Sequence, residues 1–104
     1  METQSETKLG IELIHPGVYI KEYYLDELGI TPYKMAKDIK VSQTLIGNII
    51  KGKSGVTAEM ALRLSKYFGT TPQLWLNLQK GYDLERVKQN MVKEIEGIEP
   101  LIIA

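Results

Sequence analysis

TPYKMAKDIKVSQTLIGNIIKGK, residues 31–53, decides the fold. Thr31-Pro32 opens a helix. The threonine hydroxyl accepts from a free backbone N–H, and the proline's missing donor costs nothing in a first turn. Met35, Ala36 and Ile39 then recur at helical spacing. Lys40-Val41 interrupts them, and Ser42 offers a second cap. Ile46, Ile49 and Ile50 mark another apolar face, and Gly52 ends it. Two helices that cross steeply need a small residue where they touch, apolar anchors on both inner faces and a plugged turn. Ala36, the isoleucines with Met35, and Val41 supply these in turn. The stretch predicts a helix-turn-helix.

Its second helix has an outer face that follows by subtraction: Ser42, Gln43, Thr44, Leu45, Gly47, Asn48 and Lys51. Glutamine and asparagine can pair bidentately with adenine, while Leu45 or the Thr44 methyl suits a thymine methyl. Ser42 offers a hydroxyl and free N–H groups to a phosphate. Tyr33, Lys34, Lys37, Lys51 and Lys53 are further phosphate candidates. Together these eleven positions predict a face for double-stranded DNA. Two positions strain the pattern. Lys40 stands where the turn backbone favours φ > 0, at a cost of about 1 kcal/mol for a non-glycine. Gly47 inside the reading helix costs up to about 1 kcal/mol against alanine.

Charge supports that face. The 104-residue chain is neutral overall, but residues 31–53 hold five lysines against one acid. Residues 1–30 hold two lysines against six acids, and residues 54–104 balance six against six. The only net-basic block therefore coincides with the helix pair. The acid-rich first third suits a basic protein partner.

The flanks read as further helices. Residues 1–8 are polar and unpatterned, predicting a mobile tail. Leu9–Ile14 reads as either a brief strand or an extended arm. His15-Pro16-Gly17 opens a first helix to about Leu28, with Val18, Tyr19, Tyr23, Leu25 and Leu28 as an irregular apolar face and Gly29 as its stop. His15 reads as a cap, not a general base. Thr57 caps a fourth helix, with Glu59 near the reciprocal capping position, an apolar face of Met60, Ala61, Leu64 and Phe68, and Gly69 at its end. Thr71-Pro72 opens a fifth, running to about Met91 unless Gly81 breaks it. Trp75 and Leu78 read as core, and Asn77 and Gln79 as helix bridges or interface residues. Gly97 and Pro100 argue against helix beyond that point, so Leu101-Ile102-Ile103 either docks on the core, pairs with another chain or stays exposed. The expected architecture is an all-α five-helix bundle over residues 9–91, with 92–104 as a short apolar C-terminal segment in possible dimer contact.

Several classes are disfavoured. There is no cysteine and one histidine, which leaves few nucleophile–base pairs and no thiolate metal site. No glycine-rich phosphate loop is present. No enzyme activity, cofactor or metal is expected. No apolar run approaches the eighteen or so residues of a membrane span, and no signal-peptide core precedes the domain. A cytoplasmic protein is expected.

Beyond the residues themselves, three landmarks resemble one family: HPG at 15–17, the helix pair at 31–51, and GVTAEMALRLSKYFGTTPQLWLNLQKGYDL at 55–84. Over about 70% of its length the chain is similar to the HigA-type antitoxins, also called plasmid-maintenance antidote or VapI-like proteins. The resemblance implies a five-helix domain of the phage-repressor-like (XRE-type) class. It implies a homodimer that binds operator DNA, represses its own operon and neutralises a cognate ribonuclease toxin. The chain departs from its relatives at Lys40, where they often carry glycine. It departs again at Leu45 and Gly47, where polar or basic residues are common. Two alternatives stand beside this reading: a phage-type or metabolic regulator without a toxin, and a toxin-neutralising interaction module with little DNA binding.

Overall fold

The computed structural model describes residues 14–102. The expectations for the tail at 1–8, for most of the Leu9–Ile14 segment and for Ile103 lie outside those residues. Among the described residues the chain is all helical. Helix α1 is continuous from Pro16 through three pieces, Pro16–Ile20, a π-helical Lys21–Leu25 and Asp26–Leu28. The helix pair is α2, Pro32–Ile39, and α3, Gln43–Ile50. Then come α4, Ala58–Phe68, α5, Pro72–Asn90, and a short α6, Val92–Glu96.

The caps form as the sequence dictates. Thr31, Ser42, Thr57 and Thr71 each accept a hydrogen bond from the backbone N–H three residues on. His15 does the same work at α1: its Nδ1 accepts from the Gly17 N–H at 2.9 Å. That bond requires an unprotonated Nδ1, and burial holds the imidazole pKa below its ordinary value. Glu59 departs from expectation. Instead of closing a capping box, it pairs with Arg63 one turn on, at 3.1 Å.

The apolar face of α1 matches the predicted one at Leu25, in the core, and at Tyr19, packed against it, and departs from it elsewhere. Val18, Tyr23 and Leu28 are exposed, and the core residues are Ile20 and Leu25. These lie five apart, a spacing that a regular α-helix sets on different faces. The π-helical turn at Lys21–Leu25 widens the coil and brings both inward.

The core joins Ile20 and Leu25 to Met35, Ala36, Ile39, Ile46, Ile49, Val56, Met60, Ala61, Leu64 and Trp75. Trp75 is fully buried, with Tyr19 edge-on at 5.7 Å. Its indole Nε1 donates to the Thr70 hydroxyl at 2.7 Å, so the buried polar atom is satisfied. Tyr24 stacks on Phe68 at 4.1 Å beside it.

Helix α5 runs unbroken through Gly81. Gln79 bridges it to the loop before α4: its Oε1 accepts from the Val56 N–H at 2.8 Å, and its Nε2 donates to Asp83. Beyond Asp83 the chain leaves the bundle. Residues 86–102 are exposed throughout, including Ile98, Leu101 and Ile102, so the C-terminal segment does not dock on the core.

Candidate nucleic-acid interface

The helix pair is held from three directions. Its inner faces bury Met35, Ala36 and Ile39 on α2 and Ile46 and Ile49 on α3, with Val41 half-buried in the turn. Lys40 adopts the left-handed conformation, φ 64° and ψ 47°, and is the only non-glycine described residue with positive φ. The Val41 N–H donates back to the Ala36 carbonyl at 3.0 Å and closes the turn. From behind, Gly17 of α1 lies against the C-terminal turn of α3. A Cβ at that position would collide with the Ile49 carbonyl oxygen and stand 2.9 Å from the Ile50 Cα.

The outer face is free. Ser42, Gln43, Thr44, Leu45, Lys51 and Lys53 are exposed, as are Tyr33, Lys34 and Lys37 on α2. Gly47 and Asn48 are half-buried, at the margin of the face. The Ser42 hydroxyl oxygen is committed to the Leu45 N–H, which leaves its O–H as the donor for a phosphate. Lys34 is shared, because its ammonium pairs with Asp38 at 2.9 Å. Asp38, the one acid in the basic stretch, also accepts from the Tyr67 hydroxyl of α4 at 2.6 Å. These two bonds hold the Asp38 carboxyl below its ordinary pKa. Burial, together with the Asp38 bond, pushes the Tyr67 phenol up to about 12. The acid thus ties α2 to α4.

One residue of the scaffold carries no sequence signal in the helix pair. Arg63 of α4 donates from Nη1 to the Ile39 carbonyl at 2.6 Å and, at the limit of hydrogen bonding, to the Lys40 carbonyl at 3.5 Å. The contact spans 24 residues of sequence, which local periodicity cannot reach.

Gly47 has an unexpectedly empty surrounding. A Cβ there would meet nothing within 4 Å. No packing among the described residues requires glycine, so Gly47→Ala is expected to stabilise the fold by up to about 1 kcal/mol. If Gly47 serves close approach of a ligand backbone, the same change weakens binding. A thermal melt beside an operator titration checks both signs, and a melt shifted downward defeats the expectation.

The helix-turn-helix family model matches residues 20–75, more than half of the chain. The chain belongs to the helix-turn-helix family. Within it, the chain is a HigA- and VapI-like member. It is 43% identical to virulence-associated protein I of Dichelobacter nodosus, over 74% of this chain and 71% of that one. It is 31% identical to antitoxin HigA-1 of Vibrio cholerae, over 85% and 83% of the two. The solved structure of the Pseudomonas aeruginosa antitoxin HigA with the higBA promoter superposes with a TM-score of 0.83 at 38% identity. The match covers 88% of this chain and all of that one. Among the described residues this helix-turn-helix protein has no helix long and apolar enough to cross a membrane.

Proposed function

We propose that this helix-turn-helix protein is a sequence-specific operator-binding repressor that also serves as the antitoxin of a type II toxin–antitoxin pair. One observation carries the reading. The polar outer face of α3 stands exposed on a helix whose cap, turn and rear contact are all fixed. The related HigA structure, solved with its promoter, supports it.

In this reading Gln43 and Thr44 read base edges near the start of α3, with Leu45 against an apolar methyl and Asn48 at the margin. Ser42, Tyr33, Lys34, Lys37, Lys51 and Lys53 meet phosphates, and Gly47 lets the backbone come close. The protein acts as a homodimer in the cytoplasm, neutralises a cognate ribonuclease and carries out no catalysis of its own.

The test is a mobility-shift titration on the region upstream of the chain's own operon. A salt-sensitive, sequence-dependent complex is expected below micromolar protein. Gln43→Ala should cost about 1–3 kcal/mol and relax preference at one or two base pairs. Lys51→Ala should weaken all sequences alike and lower the salt slope by about 0.9. Absence of any sequence-dependent complex sinks the repressor reading. For the antitoxin arm, the product of the neighbouring gene should co-purify with the chain and lose ribonuclease activity in its presence.

A further inference from the structure

Arg63 stands outside the helix pair, yet two of its contacts converge on that pair's weakest point. The weak point is Lys40. A side chain in the left-handed region is strained, and here it occurs where the chain turns from α2 into α3. The conformation also leaves a local problem. The last carbonyls of a helix have no partner within it and concentrate negative charge. The Ile39 and Lys40 carbonyls are in that position at the end of α2.

Arg63 answers both. Its Nη1 donates to the Ile39 carbonyl at 2.6 Å and approaches the Lys40 carbonyl at 3.5 Å. Its Nε and Nη2 are held by Glu59 at 3.2 and 3.1 Å, which orients the guanidinium plane toward the turn. The base of the clamp is firm, because α4 buries Met60, Ala61 and Leu64 in the core on either side of Arg63. A planar guanidinium braced on one edge and donating from the other is a more defined constraint than a lysine ammonium.

We propose that Arg63 is a positioning residue for operator recognition: it holds the carbonyls of a strained turn and so fixes the angle at which α3 presents its outer face. The inference rests on the operator-binding reading for its functional arm. It also has an arm that needs no DNA. Lys40→Gly removes the strain that Arg63 offsets. The two residues are therefore energetically coupled, and the coupling appears as non-additivity in a double-mutant cycle.

The first arm is amide hydrogen exchange on the intact chain. Arg63→Ala is expected to speed exchange of the Val41 amide, which closes the turn onto Ala36, by more than about 10-fold. Amides in the middle of α5 should stay unchanged. Arg63→Lys should fall between the two, and Lys40→Gly in the Arg63→Ala background should restore most of the protection. The second arm is operator affinity, measured well below the melting temperature of every variant. Arg63→Ala should lose about 10-fold in affinity for the operator while binding to unrelated duplex changes less than about twofold. Lys40→Gly should recover more affinity in the Arg63→Ala background than in the parent. Unchanged Val41 exchange in Arg63→Ala overturns the clamp outright. Equal losses on operator and unrelated DNA, with a lower salt slope, overturn positioning and make Arg63 one more phosphate cation. If the parent chain shows the predicted exchange pattern but binds no operator, the clamp stands and the functional reading falls.

Discussion

Gly17→Ala is expected to destabilise the protein by about 3 kcal/mol or more, the upper part of the range for forcing extra atoms into a packed contact. The reason is geometric. The added Cβ would fall inside the Ile49 carbonyl oxygen's contact shell, 2.7 Å from the carbonyl carbon and 2.9 Å from the Ile50 Cα. All three are backbone atoms of α3 or its end, so no side chain can swing away. Either α1 withdraws or the last turn of α3 shifts. Withdrawal strains the His15 cap, because that cap bonds to the Gly17 N–H itself. It also pulls on Ile20, one turn along and almost fully buried. For a domain of this size the loss corresponds to a melting temperature about 15 °C lower. Gly47→Ala supplies the contrast, since an added Cβ there meets open space. Two identical substitutions, one touching α3 from behind and one on its outer face, should move stability in opposite directions. A Gly17→Ala melt within a few degrees of the parent refutes the close contact.

That contrast also marks where the sequence was informative and where it was not. Thr31, Pro32, Ser42, Thr57, Thr71 and Pro72 bond or constrain only their own first turns, so residues three apart carry the whole signal. Lys40 was legible for the same reason: the turn's geometry is local, and its side chain is the wrong one for φ 64°. Gly17 read only as part of the helix opening His15-Pro16-Gly17. Its actual constraint is a backbone more than thirty residues away, which no local pattern encodes. Arg63 was hidden likewise, as a charged residue on an exposed helix flank whose partners are carbonyls of another element. Ile20 was missed on the inner face of α1 because it and Leu25 obey a π-helical spacing, not the α spacing that periodicity assumes. The seven outer-face positions of α3 and its end came from subtraction, and Tyr33, Lys34, Lys37 and Lys53 from their charge or hydroxyl beside it. The outward placement of the α3 positions follows from the burial of Ile46 and Ile49, while the bases they meet depend on a partner the chain does not contain.

Val87→Glu combined with Ile95→Glu is expected to leave a folded monomer that binds its operator at least 100-fold more weakly, about 2.7 kcal/mol. Leu84, Val87, Met91, Ile95 and Ile98 recur three or four residues apart from α5 into α6 and just beyond, and every one is exposed. Leu101 follows at 96% exposure. A stripe of that length, running beyond the end of the bundle, marks an interaction surface. The shape agrees: the described chain measures 51 × 30 × 23 Å with a radius of gyration of 16.8 Å, against about 12 Å for a compact domain of the size of residues 14–102. The excess is the arm formed by the end of α5, α6 and the residues after them. We infer that a second copy of the chain covers it, because a single α3 buries too little to be highly specific. A two-fold pair would set two such helices about 34 Å apart, one per half-site. Two glutamates facing each other across that axis place like charges in an apolar contact, which neither side chain can escape. Light scattering should give 11.8 kDa for the variant and about twice that for the parent. Deleting residues 97–104 should only weaken the dimer, since the stripe begins at Leu84. A parent chain that is monomeric while binding operator tightly, or a double variant that remains dimeric, would place the interface elsewhere.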